Sequence, residues 1–406
     1  MVRPALLIAV AWLLPALSAH AEPAPAFPEL LAQTAGAPTP MASAAELDAA
    51  RARRVQAGAW NNPELGVTVE NFGGARPAEG GEQTQTTFSI GQTVELGGKR
   101  QARVAAAGAD LTAAEAKATL SRADYAARLA VAYAEAEAAS RRVALTGDAL
   151  EAAETDARSA KLLVEAGKEA PLRSLQASAE ADRARAELAA ARSGQTIAFA
   201  RLTALAGAPR PYDRIAVSLL DASPASASAQ PGSTAAVAAA NAEREAAAAR
   251  LRSARAAAFP DVKLSVGVRR YDQTDRSAFI AGASLPLPIF NRNRGSVAEA
   301  QAELRGSEAR LRQVELDAEA DRRVAEAQGD SAGARLAAAQ SSERAAAEAY
   351  RLARTGYDAG RLPLLELTSA RRALAEARGR TLDAQLDRVR AEAELARLSG
   401  RTPFGT

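Results

Sequence analysis

The chain has no cysteine, one histidine and two methionines in 406 residues. Without cysteine there can be no disulfide, no thiolate nucleophile and no lipidated N-terminal cysteine. The lone histidine, His20, lies in a leader-like N-terminus. Its removal would leave Met41 as the only soft side chain, and with it no imidazole base and none of the common zinc or copper sites. Carboxylates are plentiful, but on alanine-rich helices they read as solvated surface charge. No enzyme activity, cofactor or metal site is expected.

Aromatic residues are scarce at 4%, too few for several conventional cores, and the 48% hydrophobic content is carried largely by alanine. That balance suits long helices. The 51 basic and 48 acidic residues are interspersed and leave a net charge of only +3, so no nucleic-acid footprint is visible. No apolar run is long enough for a transmembrane helix, and any membrane insertion would have to use strands.

At the N-terminus, Arg3, the apolar run Ala5–Leu17 and Ala19-His20-Ala21 predict a secretory signal peptide over residues 1–21. The run is too short to span a bilayer and is broken by Pro15. Residues 22–42, rich in Pro and Ala, are expected to form a loose tether.

The next strong signal is a stretch from Gly98 to Leu163 with no proline, interrupted only by Gly108 and Gly147. Its alanine, arginine and glutamate content predicts one helix, a rod of about 100 Å at 1.5 Å per residue. Val104, Leu111, Ala118, Tyr125 and Ala132 step by seven, the spacing of a supercoil seam. An isolated rod of this kind would not offset its ordering entropy, so it needs partners along its length.

Around the rod the chain reads as two tandem repeats. The first, 43–206, opens with a short helix capped by Ser43 with Glu46 in capping-box spacing, ended by Pro63. Within the strand pair 64–96, Leu65, Val67 and Val69, then Phe88, Ile90, Val94 and Leu96, alternate with polar residues. Gly97 and Gly98 form the strand–helix junction, a turn of 164–171 reverses the rod, and a return helix ends at Ala206. Residues 207–233 are expected to be a linker or equatorial segment. The second repeat, 234–400, repeats the order with a strand pair at 261–290, a rod, a turn at 356–363 and a return helix, before a tail at 401–406. Short and return helix together match the rod in the second repeat and fall short of it in the first.

Four strands cannot close a membrane barrel, because eight is the usual minimum. Two copies would give eight strands and an interior filled by side chains, whereas three would give twelve and room for water. A trimeric conduit follows if the strands enter lipid. A soluble hairpin packed on a helix would show the same alternation.

The residues resemble the TolC-like outer-membrane efflux proteins. The likeness rests on Asn62-Pro63-Glu64-Leu65, on Gln92-Thr93-Val94-Glu95-Leu96-Gly97-Gly98-Lys99-Arg100, and on Tyr357-Asp358-Ala359-Gly360-Arg361 with Leu364-Leu365-Glu366-Leu367. The Glu-Leu-Gly-Gly-Lys-Arg run looks most like the branch serving cobalt, zinc and cadmium efflux. The resemblance implies a mainly α protein with a small β part. Long coiled-coil hairpins would form a periplasmic tunnel, and four strands per protomer would enter a trimeric twelve-stranded outer-membrane barrel. It implies a homotrimer in outer-membrane lipid, docked at the tunnel tip by a periplasmic adaptor and an inner-membrane proton-driven pump of the RND type, with passive conduction of heavy-metal cations. At the tip, Gly167, Pro171, Leu172, Gly360, Leu364 and Leu365 are candidate docking residues, and Asp358, Arg361 and Glu366 are candidate gate residues. Drug or small-molecule efflux and type I secretion remain alternatives within this fold; a soluble periplasmic coiled-coil adaptor is the alternative outside it.

Overall fold

The structure is a computed structural model that describes residues 21–72, 84–222, 234–271 and 276–404. The predicted signal peptide lies outside the described residues apart from Ala21. Two rods, α3 (Lys99–Glu165) and α6 (Arg294–Asp358), run 67 and 65 residues. α2 (Pro38–Ala57) and α4 (Pro171–Ala206) pack along α3, while α5 (Ala235–Ala256) and α7 (Leu364–Leu398) pack along α6. α5 and α7 also pack on α3, so the first rod is shared by both repeats. Along α3 and α7 runs a ladder of ion pairs: Asp124–Arg397 (3.2 Å), Glu135–Arg390 (2.7 Å), Arg142–Asp383 and Asp156–Arg371.

Four of these helices stop in the same way. Gly167, Gly207, Gly360 and Gly400 all sit at φ between 63° and 72°. At each, the glycine and the residue after it donate backbone N–H groups back into the last turn, as Gly167 does to Val164 and Lys168 to Leu163. These are Schellman ends, which satisfy orphan carbonyls and strongly favour glycine in the left-handed position.

The strands β2 (Glu64–Glu70), β3 (Gln85–Val94), β5 (Val262–Tyr271) and β6 (Arg276–Ser284) form one antiparallel sheet in the order β2-β3-β5-β6. The two hairpins therefore join through β3 and β5 into a single wall, open along β2 and β6. A separate pair, β1 (Glu22–Ala24) and β4 (Tyr212–Ile215), runs parallel near the middle of α3.

Several expectations are corrected. The tether is folded: β1 and α1 (Phe27–Gln33) bury Ala24, Phe27 and Leu30, with Phe27 edge-on to both Tyr133 and Phe404. A few apolar anchors outweigh the Pro/Ala composition. α2 begins at Pro38, whose missing N–H suits a first helical position, and Ser43 lies inside the helix, so no capping box forms with Glu46. The five extra residues bring the flanking helices of the first repeat level with those of the second, at 20 and 36 residues against 22 and 35. The linker is folded as far as Ala222, with Leu219 and Leu220 buried; residues 223–233 lie outside the described residues. The last strand ends at Ser284 rather than Phe290, because Pro286 and Pro288 cannot donate to a ladder. The single heptad seam is also too narrow. Leu111, Ala118 and Tyr125 are buried and Val104 and Ala132 half-buried, but between Ala123 and Ala138 burial reaches almost all round the helix.

Candidate conduit and docking tip

The wall has two unlike faces. The register aligns Leu65 with Ile90, Val67 with Phe88, and Phe88 in turn with Val268 and Phe279. These side chains share one face and nothing among the described residues covers them: Leu65 is 81% and Phe279 94% exposed. The opposite face carries Gly66, Thr68, Thr87, Ser89, Gly91, Ser265 and Gly267, with Glu64, Glu70, Lys263 and Arg269 towards its ends. An uncovered apolar face backed by a polar one is what a strand wall between lipid and water requires.

The junction with α3 fixes how the wall stands on the rods. Gly97 has φ 66° and Gly98, the residue before α3, has φ 72°. Gly97 is needed twice over, since a Cβ there would stand 2.7 Å from the Phe259 ring. Gly98 faces open space, and only its backbone conformation requires glycine. In the second repeat Asn293 takes that position at φ 55° and donates its side-chain amide to the Ala254 carbonyl at 2.7 Å. The flanking charges are all engaged. Lys99 pairs with Asp261 at 2.7 Å, Glu95 pairs with Arg103, and Arg100 donates to the Gly58 carbonyl at 2.7 Å while lying over the Trp60 ring. The Glu-Leu-Gly-Gly-Lys-Arg run is therefore a joint that binds strand, rod and short helix.

At the far end, five residues connect each pair of helices, 166–170 and 359–363. Pro171 is the first residue of α4, whereas Pro363 precedes α7, which accounts for the one-residue difference in Gly-to-Pro spacing. Gly167 and Gly360 end the rods, and Leu172 and Leu365 are exposed at 63% and 56%, with Leu364 half-buried. Leu362 folds back onto Gly356, where a Cβ would stand 2.6 Å from its Cδ1. Asp358, Arg361 and Glu366 are exposed at the same tip. Asp358 lies 4.0 Å from Arg354, and no hydrogen bond or ion pair joins the three to one another.

Sequence reasoning missed the lock at mid-rod. Glu137, buried to 5% exposure, accepts from the Leu219 and Leu220 N–H groups at 2.8 and 3.1 Å, from Ser218 at 2.6 Å and from Arg141 at 2.6 Å. Arg388 of α7 donates to the carbonyls of Leu220 at 2.9 Å and Ala222 at 2.7 Å. Tyr133 donates to the Val217 carbonyl at 2.7 Å, and burial pushes its phenol up to about 12. A hydrogen bond from Arg141 holds the Asp221 carboxyl below its ordinary range. The segment between the repeats is thus strapped to both. Two tyrosines, Tyr125 and Tyr133, in an otherwise alanine-rich rod were the available signal.

The sequence profile of the outer membrane efflux protein family matches residues 34–208 and 232–401. The chain belongs to that family. Membership makes it an outer-membrane efflux protein, not an enzyme. The nickel-cobalt-cadmium resistance protein NccC of Alcaligenes xylosoxydans xylosoxydans is 45% identical, over 99% of this chain and 93% of its own. The nickel and cobalt resistance protein CnrC of Cupriavidus metallidurans is 44% identical, over 80% of this chain and 78% of its own. Among solved structures, the open-state MtrE outer membrane channel of Neisseria gonorrhoeae superposes with a TM-score of 0.76 at 20% identity, over 94% of this chain and 91% of that one. That last likeness shows the fold, two repeats of rod and strand pair.

Proposed function

We propose that this outer membrane efflux protein is the exit duct of a tripartite, proton-driven assembly and passes divalent heavy-metal cations from the periplasm to the exterior. One observation carries the reading: an open, one-sidedly apolar sheet of four strands is joined to rods too long for a compact domain. In lipid, the free edges of β2 and β6 would leave backbone groups unpaired. Setting β6 of one copy against β2 of the next removes both edges, and three copies make a twelve-stranded barrel wide enough for water. The rods then line a tunnel in the periplasm, reached after export on the signal peptide of residues 1–21.

Conduction through such a duct is passive, and the driving force belongs to an inner-membrane pump of the RND type. The exposed hairpins around Gly167, Pro171, Leu172, Gly360, Leu364 and Leu365 offer grooves for a periplasmic coiled-coil adaptor. Threefold repetition of Asp358, Arg361 and Glu366 would make a charged constriction. The metal cargo is supported by the names of NccC and CnrC. Because the chain has no cysteine, and no group of three or more metal-binding side chains occurs among the described residues, metal selection falls to the pump.

The test is deletion of the gene followed by growth on nickel, cobalt, cadmium, zinc and a panel of drugs. The expected outcome is a several-fold loss of metal tolerance, restored by the gene, with drug tolerance unchanged. Loss of drug tolerance alone would overturn the cargo. Recovery of monomer from the soluble periplasm would overturn the duct.

A further inference from the structure

The polar face of the wall holds two acidic residues among the described strand residues, Glu64 and Glu70, and neither is bare. Both lie on β2, and each is met by a basic side chain that crosses over β3 from β5. Lys263 Nζ reaches Glu64 Oε2 at 2.5 Å, and Arg269 reaches Glu70 at 3.2 Å while donating from Nε to the Thr87 hydroxyl at 3.2 Å. The first crossing depends on Gly91, which lies beneath the Lys263 stem: a Cβ there would stand 3.0 Å from Cε. Between the two pairs this face is built from glycine, serine and threonine along β2 and β3.

Carboxylates are the natural ligands of hard and borderline divalent cations. A bare glutamate on the wall of a cation duct would hold its cargo, and threefold repetition would turn each position into a ring of three. Conduction needs sites weak enough to leave. Resting on the duct reading above, we infer that Lys263 and Arg269 are built-in counter-ions that mask Glu64 and Glu70, so that divalent cations pass the barrel without being retained. They set the charge that the wall presents, and their partners are carboxylates of the same chain.

The test uses the purified trimer in planar bilayers, with potassium current as the baseline and added nickel as the probe. The double variant K263Q R269Q is expected to lower the half-blocking nickel concentration at least tenfold. Adding E64Q and E70Q should restore the wild-type value, and Lys263→Arg should leave it unchanged. A separate arm does not depend on those variants folding: E64Q alone should leave nickel block as in wild type, because the carboxylate is already masked. Relief of block by E64Q alone, or equal block in wild type and K263Q R269Q, would overturn the inference. Wild-type protein that carries no potassium current would overturn the duct reading itself, and this inference with it.

Discussion

The ring of Phe259 fills the space beside Gly97 that any other residue's Cβ would occupy, 2.7 Å from the Phe259 Cγ. One aromatic of the second repeat thereby presses on the strand exit of the first. Gly97→Ala meets two penalties, the left-handed backbone at φ 66° and the collision. A loss of about 1–3 kcal/mol is expected, read as a lower unfolding temperature of the protein in detergent. Phe259→Ala in the same chain should recover the collision part and leave the backbone part. Gly98→Ala, which meets only the backbone penalty, should be milder.

Glu137 supplies the sharpest stability test. Its carboxylate satisfies two backbone N–H groups, a hydroxyl and a guanidinium in a buried position. Glu137→Ala strands those donors, and the expected cost is on the order of 2–3 kcal/mol. Thermal unfolding checks the size. Faster proteolysis between Ala216 and Ala222 checks the place.

The same lock predicts the pH range of greatest stability. Asp221 is held below its ordinary 3.8 by Arg141, so its contribution is complete above that value and is lost as pH falls through its lower folded value. Tyr133 is raised by burial from 10.0 to about 12, so its contribution is complete below 10.0 and is lost as pH rises towards 12. The lock's own contribution to unfolding temperature should therefore be steady between these limits and fall on either side. Tyr133→Phe should reduce the alkaline fall, leaving the part due to Tyr125 and Tyr212, whose phenols burial also raises.

At the tip, Leu172→Asp and Leu365→Asp alter side chains that are already exposed. Neither should change the assembly state or the unfolding temperature. Each is expected to lower metal tolerance in cells several-fold through lost docking, measured beside cross-linking to the adaptor. Normal tolerance in both variants would remove these leucines from the docking surface.

Much of this fold is legible in the sequence because its signals are local. Alanine-rich stretches free of proline give the rods, period-two alternation gives the strands, and Gly167, Gly207, Gly360 and Gly400 mark the helix ends. The order β2-β3-β5-β6 is not local, since nothing in the alternation says which strand of one hairpin meets which of the other. Composition misled at residues 22–42 and 207–222, where proline and alanine suggested slack chain. There Phe27, Leu30, Leu219 and Leu220 are the anchors, and their partners Tyr133, Glu137 and Arg388 lie far away in sequence. Tip residues were legible as turn chemistry, whereas the crossing of Lys263 over Gly91 needed the strand register.

Phe27 stands edge-on between Tyr133 and Phe404, so the earliest folded segment and the latest close on one spot of α3. That aromatic corner is complete only once Phe404, six residues beyond the end of α7, is in place. A product cut short before α7 would lack the third ring of the corner and leave α3 bare along the flank that α7 covers.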